Sequence, residues 1–445
     1  MKDAGISIED IGKLRRTHYT IDVIEEEEGK EVVLMGWVHE IRDLGGIKFL
    51  LLRDREGIIQ ITFPKKKVPG NIFKIASKLT KESIIAVKGK IIRNKQAPNS
   101  VEILPSDLKV LSLADALLPL DVTEKVKADL DTRLDARVLD LRKPKIQAIF
   151  KIRMTILNAF REYLKNQGFI EVNTPTIVAA ATEGGAELFP VAYFEREAFL
   201  RQSPQLYKQM LMATGFDRVF EICPVFRAEK HNTVRHLNEI TQMDIEMAFA
   251  THEDAMRMLE NVVRYMIEKV AKENKRELEL LNKKIDVPET PFKRLTYDEV
   301  LEIAKKYNLA FEWGEDVPTQ VMKLLGKLYK DPIFIVDWPT EARAFYAMPH
   351  EDDEKYCYAF DLAYRGIEIS SGTCRIHQYD LLVKQLKARG LSVESFKAYL
   401  DAFRYGMPPH AGWSIGAERF LMALLDLDNI REATLFPRDR KRLLP

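Results

Sequence analysis

The sequence predicts a multidomain protein: an all-β amino-terminal barrel followed by a larger α+β domain on an antiparallel sheet. Three observations predict it. At 445 residues the chain is long for one core and suits two or three domains. From Glu31 onward, short alternating apolar runs are separated by glycine turns, the pattern of half-buried strands. Beyond Pro144, helical periodicities mix with strand runs, without the regular βαβ alternation of a parallel sheet.

Composition narrows the class. Hydrophobic residues make up 46% of the chain, enough for packed cores. No apolar run approaches the length of a membrane span, and Met1-Lys2-Asp3 does not begin a signal peptide, so a cytoplasmic location is expected, with no membrane partner. Cys223, Cys357 and Cys374 form neither a disulfide framework nor a metal-ligand spacing, and each is expected to be a small buried thiol. The net charge of +1 hides a charged fraction of 30%. Nucleic-acid binding therefore cannot be read from the total, because local clusters decide it.

Residues 1–14 show no apolar periodicity. Val32 to Ile41, Lys48 to Arg53 and Ile58 to Thr62 read as strands, Asn71 to Leu79 as a helix, and Ser83 to Ile92 and Val101 to Val110 as further strands. Three strands, a helix and two strands is the order of an OB-fold barrel, here 15–112, an architecture that commonly binds single-stranded nucleic acid. Ala114 to Arg142 is proline-interrupted and charge-rich, and reads as a hinge, 113–143. The second domain, 144–445, opens with an amphipathic helix from Pro144 to about Asn166: Ile149, Ile152, Ile156, Phe160 and Tyr163 recur every three or four residues, and Gly168 follows the end. Strands are expected at Phe169 to Val172, Arg218 to Ile222 and Glu239 to Glu246. Helices are expected at Pro204 to Thr214, Glu253 to Asn274 and Tyr379 to Arg389.

Neither a Walker-type phosphate loop nor a Rossmann glycine fingerprint occurs, so nucleotide chemistry would need another fold. Three clusters are candidates. The first is Phe226-Arg227-Ala228-Glu229, with a polar loop leading to Arg235-His236 and a returning strand Thr241 to Glu246. Arg227 and Glu229, two apart on a strand, would share a face, one for phosphate and one for an exocyclic amine. Taken alone, an ion-paired surface hairpin is the better reading. The second is Gly416-Ala417-Glu418-Arg419 at the start of an apolar helix, where an arginine beside free backbone N–H groups suits a phosphate. Alone, a solvated first-turn arginine is again the better reading. The third is Asp361 with Glu368, followed by Ser370-Ser371. Two carboxylates on adjacent strand segments can hold Mg²⁺ on ATP phosphates, or can be two exposed surface acids.

Together these blocks resemble a known family. Gly168 to Pro175 is similar to motif 1 of the class II aminoacyl-tRNA synthetases, Phe226 to Glu246 to motif 2, and Gly416 to Arg419 to motif 3. The resemblance runs from about Arg15 to Pro445. An amino-terminal OB-fold is a mark of the subgroup holding the aspartyl, asparaginyl and lysyl enzymes. The compact stretch between motifs 2 and 3, and the end Phe436 to Arg442, resemble the archaeal aspartyl type.

The resemblance implies ATP-dependent aspartate activation. Arg227 and Arg419 are the implied catalytic residues. ATP is implied to contact Phe226 (stacked on the adenine), Arg227, Glu229, His236, Glu368 and Arg419. Gln202 to Gln209 is similar to the aspartyl substrate helix, and Glu183, Gln205, Lys208, Asp244, Ser371 and Arg375 are the implied aspartate contacts. Asp361, Glu368 and Ser371 are the implied Mg²⁺ site. Arg42, Phe49 and Gln60 resemble anticodon-contacting residues, although Phe49 can also be read as a barrel-core aromatic. His39 and Pro98 stand where strictly discriminating archaeal enzymes carry Trp and Lys. Both tRNA(Asp) and tRNA(Asn) are therefore expected substrates, with an indirect link to a tRNA-dependent amidotransferase. Motif 1 implies a homodimer. The alternatives are a strictly discriminating enzyme, an asparaginyl enzyme, an ammonia-using relative that makes asparagine, and a non-catalytic RNA-binding module.

Overall fold

In the computed structural model, residues 6–179, 188–230 and 233–444 are described. The chain divides into two compact units, Met1–Gln147 and Ala148–Pro445.

The first unit is a closed barrel of β1 (Glu31–Asp43), β2 (Ile47–Arg53), β3 (Ile58–Pro64), β4 (Ile84–Arg93) and β5 (Val101–Ser112), in the order β1-β2-β3-β5-β4, with α1 (Gly70–Ala76) between β3 and β4. Alternation decides which side chains fill it. Leu50, Leu52, Ile59, Ile61, Phe63, Ile85, Val87 and Ile103 point inward and are buried. Gly36 is required by closeness: a Cβ there would stand 2.3 Å from the Arg53 carbonyl oxygen. The segment read as a hinge contains α2 (Leu130–Asp135) and α3 (Arg137–Asp140). Arg137 and Asp140 form a fully buried ion pair at 2.6 Å, and Arg133 and Lys143 also reach Asp140. Charge richness here marks a buried network rather than only a solvated connector.

The second unit begins along α4 (Pro144–Asn166), the expected amphipathic helix. It continues through β6 (Ile170–Glu171), β7 (Ile177–Val178), β8 (Pro190–Tyr193), β9 (Arg196–Leu200), α5 (Gln205–Met212), β10 (Arg218–Phe226) and β11 (Glu239–Ala248). Next come α6 (His252–Glu273), α7 (Lys275–Leu280), β12 (Lys293–Thr296), α8 (Tyr297–Lys306), α9 (Thr319–Leu328) and β13 (Ile333–Pro339). The last elements are β14 (Tyr356–Tyr364), β15 (Ile367–Arg375), α10 (Tyr379–Ala388), α11 (Lys397–Arg404), β16 (His410–Gly416) and α12 (Ala417–Leu425).

Eight strands form one sheet in the order β12-β13-β14-β15-β16-β11-β10-β6. Its interior is antiparallel, as expected; the two outermost pairs, β12-β13 and β10-β6, are parallel. The period of two gives the sheet two different faces. Met243, Ile245, Trp413, Ile415, Phe360 and Leu362 belong to the core that also takes in Phe160 of α4, Leu259 and Val263 of α6, and Phe420 of α12. The intervening residues Gln242, Asp244, Ser414, Ser371 and Asp361 line a cavity on the other face.

Candidate active site

The cavity has a volume of about 700 Å³ and collects residues from all three sequence clusters. Beneath its floor, which Asp244 and Arg375 line, lies an ion-pair network. Lys208 on α5 places Nζ 2.8 Å from Asp244 Oδ1 and 3.6 Å from Glu246 Oε2, and also donates to the Trp413 carbonyl at 3.2 Å. Arg375, at the end of β15, meets Glu246 with Nε at 2.9 Å and Nη2 at 3.2 Å. Burial alone would raise the Glu246 carboxyl, but the charges of Arg375 and Lys208 outweigh it and hold the group below its usual range. Gly412 makes room for this acid: a Cβ there would stand 2.2 Å from Glu246 Oε2.

Glu246 escaped the sequence reading, although Gln242, Asp244 and Glu246 are spaced by two on a strand and must share a face. Gln205 and Ser371 join Asp244 in lining the cavity. The implied contact Glu183 lies outside the described residues.

The opposite wall carries Arg227, Glu229, Arg235, His236 and Arg419. Arg227 and Glu229 were expected on a strand, but β10 ends at Phe226. Pairing persists for one more residue, with Arg227 N donating to the Asn238 carbonyl at 2.9 Å. Phe226 itself does not line this cavity. Glu221 and Cys223 stand opposite the cavity residues Asp244 and Gln242, so odd-numbered positions of β10 share that face and Phe226 alternates away from it. The geometry thus corrects the expectation that Phe226 stacks on a base here. Arg419 is in the first turn of α12, whose N-cap is Gly416. The His236 ring is hydrogen-bonded to Thr233 Oγ1 at 2.6 Å, and burial, assisted by Arg419, lowers its pKa and favours the neutral ring at pH 7.

Between floor and wall stand Asp361 on β14 and Glu368 on β15, with Ser371 directly across from Asp361. Burial, with Glu368 adding to it, pushes the Asp361 carboxyl up to about 6 against the pull of Arg343. Arg343, which sequence reading also missed, pairs with Asp361 and lies 3.6 Å over the Trp338 ring. Asp361 Oδ1 is buried without a hydrogen-bond partner among the described residues. Two acids and a hydroxyl form a hard oxygen donor set, and a buried Asp361 carboxyl pushed up beside a second acid fits a small divalent cation that also binds phosphates. No group of three or more His, Cys, Asp or Glu that could hold a metal exists among the described residues, so further ligands would come from substrate or water.

In the barrel unit, Arg42 and Phe49 are cross-strand partners on β1 and β2. Phe49 alternates with the core residues Leu50 and Leu52 and is half-buried on the outer face, outside the barrel core. Gln60 donates to Glu102 Oε2 at 2.9 Å, an acid that also accepts from Thr62 and Asn94. His39 Nδ1 is 2.8 Å from Arg53 Nη1, and Arg53 is paired in turn with buried Glu82. Pro98 opens a short turn and is exposed.

Comparison with known proteins agrees with this arrangement. Residues 129–440 match the family of class II tRNA synthetases (D, K and N), and 32–111 match the OB-fold nucleic acid binding domain. An aspartate–tRNA(Asp/Asn) ligase from Methanothermobacter thermautotrophicus is 57% identical over 98% of this chain and 100% of its own length. One from Methanocaldococcus jannaschii is 57% identical over 97% and 99%. Among solved structures, the asparaginyl-tRNA synthetase from Pyrococcus horikoshii with asparaginyl-adenylate superposes with a TM-score of 0.92 at 35% identity, covering 97% of this chain and 100% of that one. A putative aspartyl-tRNA synthetase from Leishmania major Friedlin gives 0.90 at 30%, covering 99% and 97%. The chain belongs to the class II tRNA synthetases (D, K and N), in the branch of its archaeal aspartate–tRNA(Asp/Asn) ligase relatives.

Proposed function

We propose that the protein activates L-aspartate with ATP and transfers it to the 3′ end of tRNA(Asp) and tRNA(Asn). The observation that carries this reading is the pairing of buried Lys208 and Arg375 with Asp244 and Glu246 at the base of the cavity, which Asp244 and Arg375 line. Aspartate inserts into that network: its ammonium takes Asp244 and its side-chain carboxylate takes Lys208 and Arg375, so every charge keeps a partner. Asparagine would take Asp244 but bring a neutral amide, leaving Lys208 and Arg375 one negative charge short, which a buried site penalises.

The aspartate α-carboxylate is already ionised at neutral pH and attacks the α-phosphorus without a general base. The chain's work is therefore orientation and charge neutralisation. Arg227 and Arg419 hold phosphate oxygens, Glu229 accepts from the adenine amine, and neutral His236 donates or accepts without adding charge. Asp361, Glu368 and Ser371 would hold Mg²⁺, which supplies neutralisation of the phosphates when bound. A hydroxyl of the terminal ribose of tRNA then attacks the adenylate carbonyl.

Pyrophosphate exchange with aspartate, asparagine and lysine tests the amino acid. Exchange driven by asparagine would replace this reading with the asparaginyl alternative, which the likeness to the Pyrococcus enzyme keeps in view.

We assign anticodon binding to 15–112, the hinge to 113–143 and catalysis to 144–445. Phe49 stacks on an unpaired base while Arg42 and Gln60 contact bases or backbone. His39 and Pro98 provide neither a large indole nor a long cation, and one lost base contact amounts to roughly 1–3 kcal/mol. Both transcripts are expected to be aspartylated; a preference for tRNA(Asp) above about a thousandfold, beyond one lost contact, would refute relaxed recognition. The mischarged product would pass to a tRNA-dependent amidotransferase. None of the described helices is long and apolar enough to cross a membrane, which suits work in the cytoplasm.

The working unit is a homodimer. The strand β6 ends the sheet with both residues exposed, Ile170 among them, and Ile177 nearby in the chain is exposed as well. An apolar edge strand of this kind asks for a partner. Sedimentation at micromolar concentration should give about twice the 51.3 kDa chain mass, and an active monomer would disprove the dimer.

A further inference from the structure

The adenylation chemistry above makes no use of Arg343, yet three features of the fold fix its place. The first is a slip in register between β13 and β14, from Val336 to Trp338, where Asp337 takes a left-handed φ of 55°. Strict alternation would turn Trp338 to the face opposite Ile335, but both line the cavity. Irregularities of this kind re-aim side chains beside active sites, and a residue other than glycine in the left-handed region costs stability. The second feature is the platform so made: the Arg343 guanidinium lies 3.6 Å from the centre of the Trp338 ring. The third is Arg389, whose Nη2 holds the backbone by donating to the Thr340 carbonyl at 2.8 Å and the Arg343 carbonyl at 3.0 Å.

The guanidinium so placed is aimed at one oxygen of one acid. Arg343 Nη2 donates to Asp361 Oδ2, while Oδ1 is buried with no hydrogen-bond partner among the described residues. Holding one oxygen leaves the other as a free donor, with Ser371 directly across on β15. Glu368 in turn has Arg419 Nη1 4.0 Å from its Oε2. Two carboxylates thus face two guanidiniums, and their charges cancel. A free divalent cation gains little from a neutral cluster. Nucleotide changes the balance: its phosphates draw Arg419, which releases Glu368, and they add negative charge of their own.

We propose that Arg343 is a positioning residue for the divalent-cation site: it orients Asp361 and cancels its charge, so that the cation is held tightly only together with the triphosphate. It acts through Asp361 and not on substrate. A site with little hold on the free ion keeps Arg419 available to the incoming phosphates. This inference rests on Asp361 and Glu368 being the cation ligands, and the test separates the two.

Mn²⁺ serves as the probe, and its binding to the nucleotide-free protein is followed by electron paramagnetic resonance, which measures the unbound ion. Arg343→Gln should tighten Mn²⁺ binding by at least about tenfold, as expected when a unit charge is removed close to a dication. Arg343→Lys, which keeps the charge, should stay within about threefold of wild type. Adding Glu368→Gln to Arg343→Gln should abolish the gain. If Arg343→Gln is poorly stable, Mg²⁺ should raise its melting temperature by more than it raises that of wild type, because the cation then replaces the lost guanidinium. Unchanged Mn²⁺ affinity in Arg343→Gln, with no such extra stabilisation by Mg²⁺, overturns the role of Arg343. So does equal tightening in Arg343→Lys, which would mark a loss of packing and not of charge. A gain that survives Glu368→Gln overturns the cation-site reading on which the proposal stands.

Discussion

Lys208→Ala is expected to lower kcat/KM for aspartate in pyrophosphate exchange by about a hundredfold to a few thousandfold, with the KM for ATP changed only a few-fold. Lys208 lies at 3% exposure between Asp244 and Glu246, far from the phosphate-holding arginines in role. Removing one partner from a buried charge network costs about 3–5 kcal/mol, and each 1.4 kcal/mol at the transition state is tenfold in rate. Part of that cost falls on folding, because Glu246 then has only Arg375. The variant's melting temperature must therefore be measured beside its kinetics, at a temperature where it is folded. Exchange within tenfold of wild type would show that Arg375 alone recognises the substrate carboxylate. Loss of ATP affinity in proportion would show that the network shapes the whole cavity.

Lys208 illustrates what the sequence could and could not disclose. Its presence within Gln202 to Gln209 was legible because a short motif on one helix is local. Asp244 and Arg375 were named beside it by the family resemblance, but Glu246 and the direct pairings among these groups were not. Arg375 and Glu246 are separated by 129 residues, and Lys208 and the Trp413 carbonyl by 205, so no periodicity joins them. The barrel strands were legible to within two residues for a similar reason: each is a local alternation around glycine turns, and the core residues Leu50, Leu52, Ile59 and Ile61 follow it.

Where the reading failed, a local rule met a long-range fact. Arg227 and Glu229 were placed on a strand by spacing, but β10 ends one residue earlier. Phe226 was placed on the adenine by the family resemblance, whereas alternation turns it to the face opposite Glu221 and Cys223. The charged connector concealed α3 because Arg137 and Asp140 neutralise one another inside the fold, and sequence composition does not distinguish buried from solvated charge. Arg343 carried no motif at all; only folding brings it over Trp338 and against Asp361.

Arg201→Met should be the most destabilising single change outside the cavity's charged floor. Arg201, 1% exposed at the end of the β9 region, donates Nε to the Pro224 carbonyl at 3.1 Å and Nη1 to the Thr174 carbonyl and Oγ1 at 3.0 and 2.8 Å. Its Nη2 pairs with Glu221 Oε1 at 3.0 Å, and Glu221 in turn accepts from Thr174 N and Oγ1. One guanidinium thus ties the end of motif 1 to β10. Methionine fills similar space but leaves a buried carboxylate and the Thr174, Pro175 and Pro224 carbonyls without their charged donor, at a cost of about 3–5 kcal/mol. For a unit of this size that corresponds to a fall in melting temperature of roughly 6–20 °C. The double variant Arg201→Met/Glu221→Leu separates the contributions. If the unpaired carboxylate dominates, the double variant recovers much of the loss, because an apolar pair replaces the buried ions. If the carbonyls dominate, it stays as unstable as the single variant. A single variant melting within about 2 °C of wild type would contradict the argument, since a shift that small is worth no more than about 1 kcal/mol and a buried carboxylate stripped of its partner costs several times that.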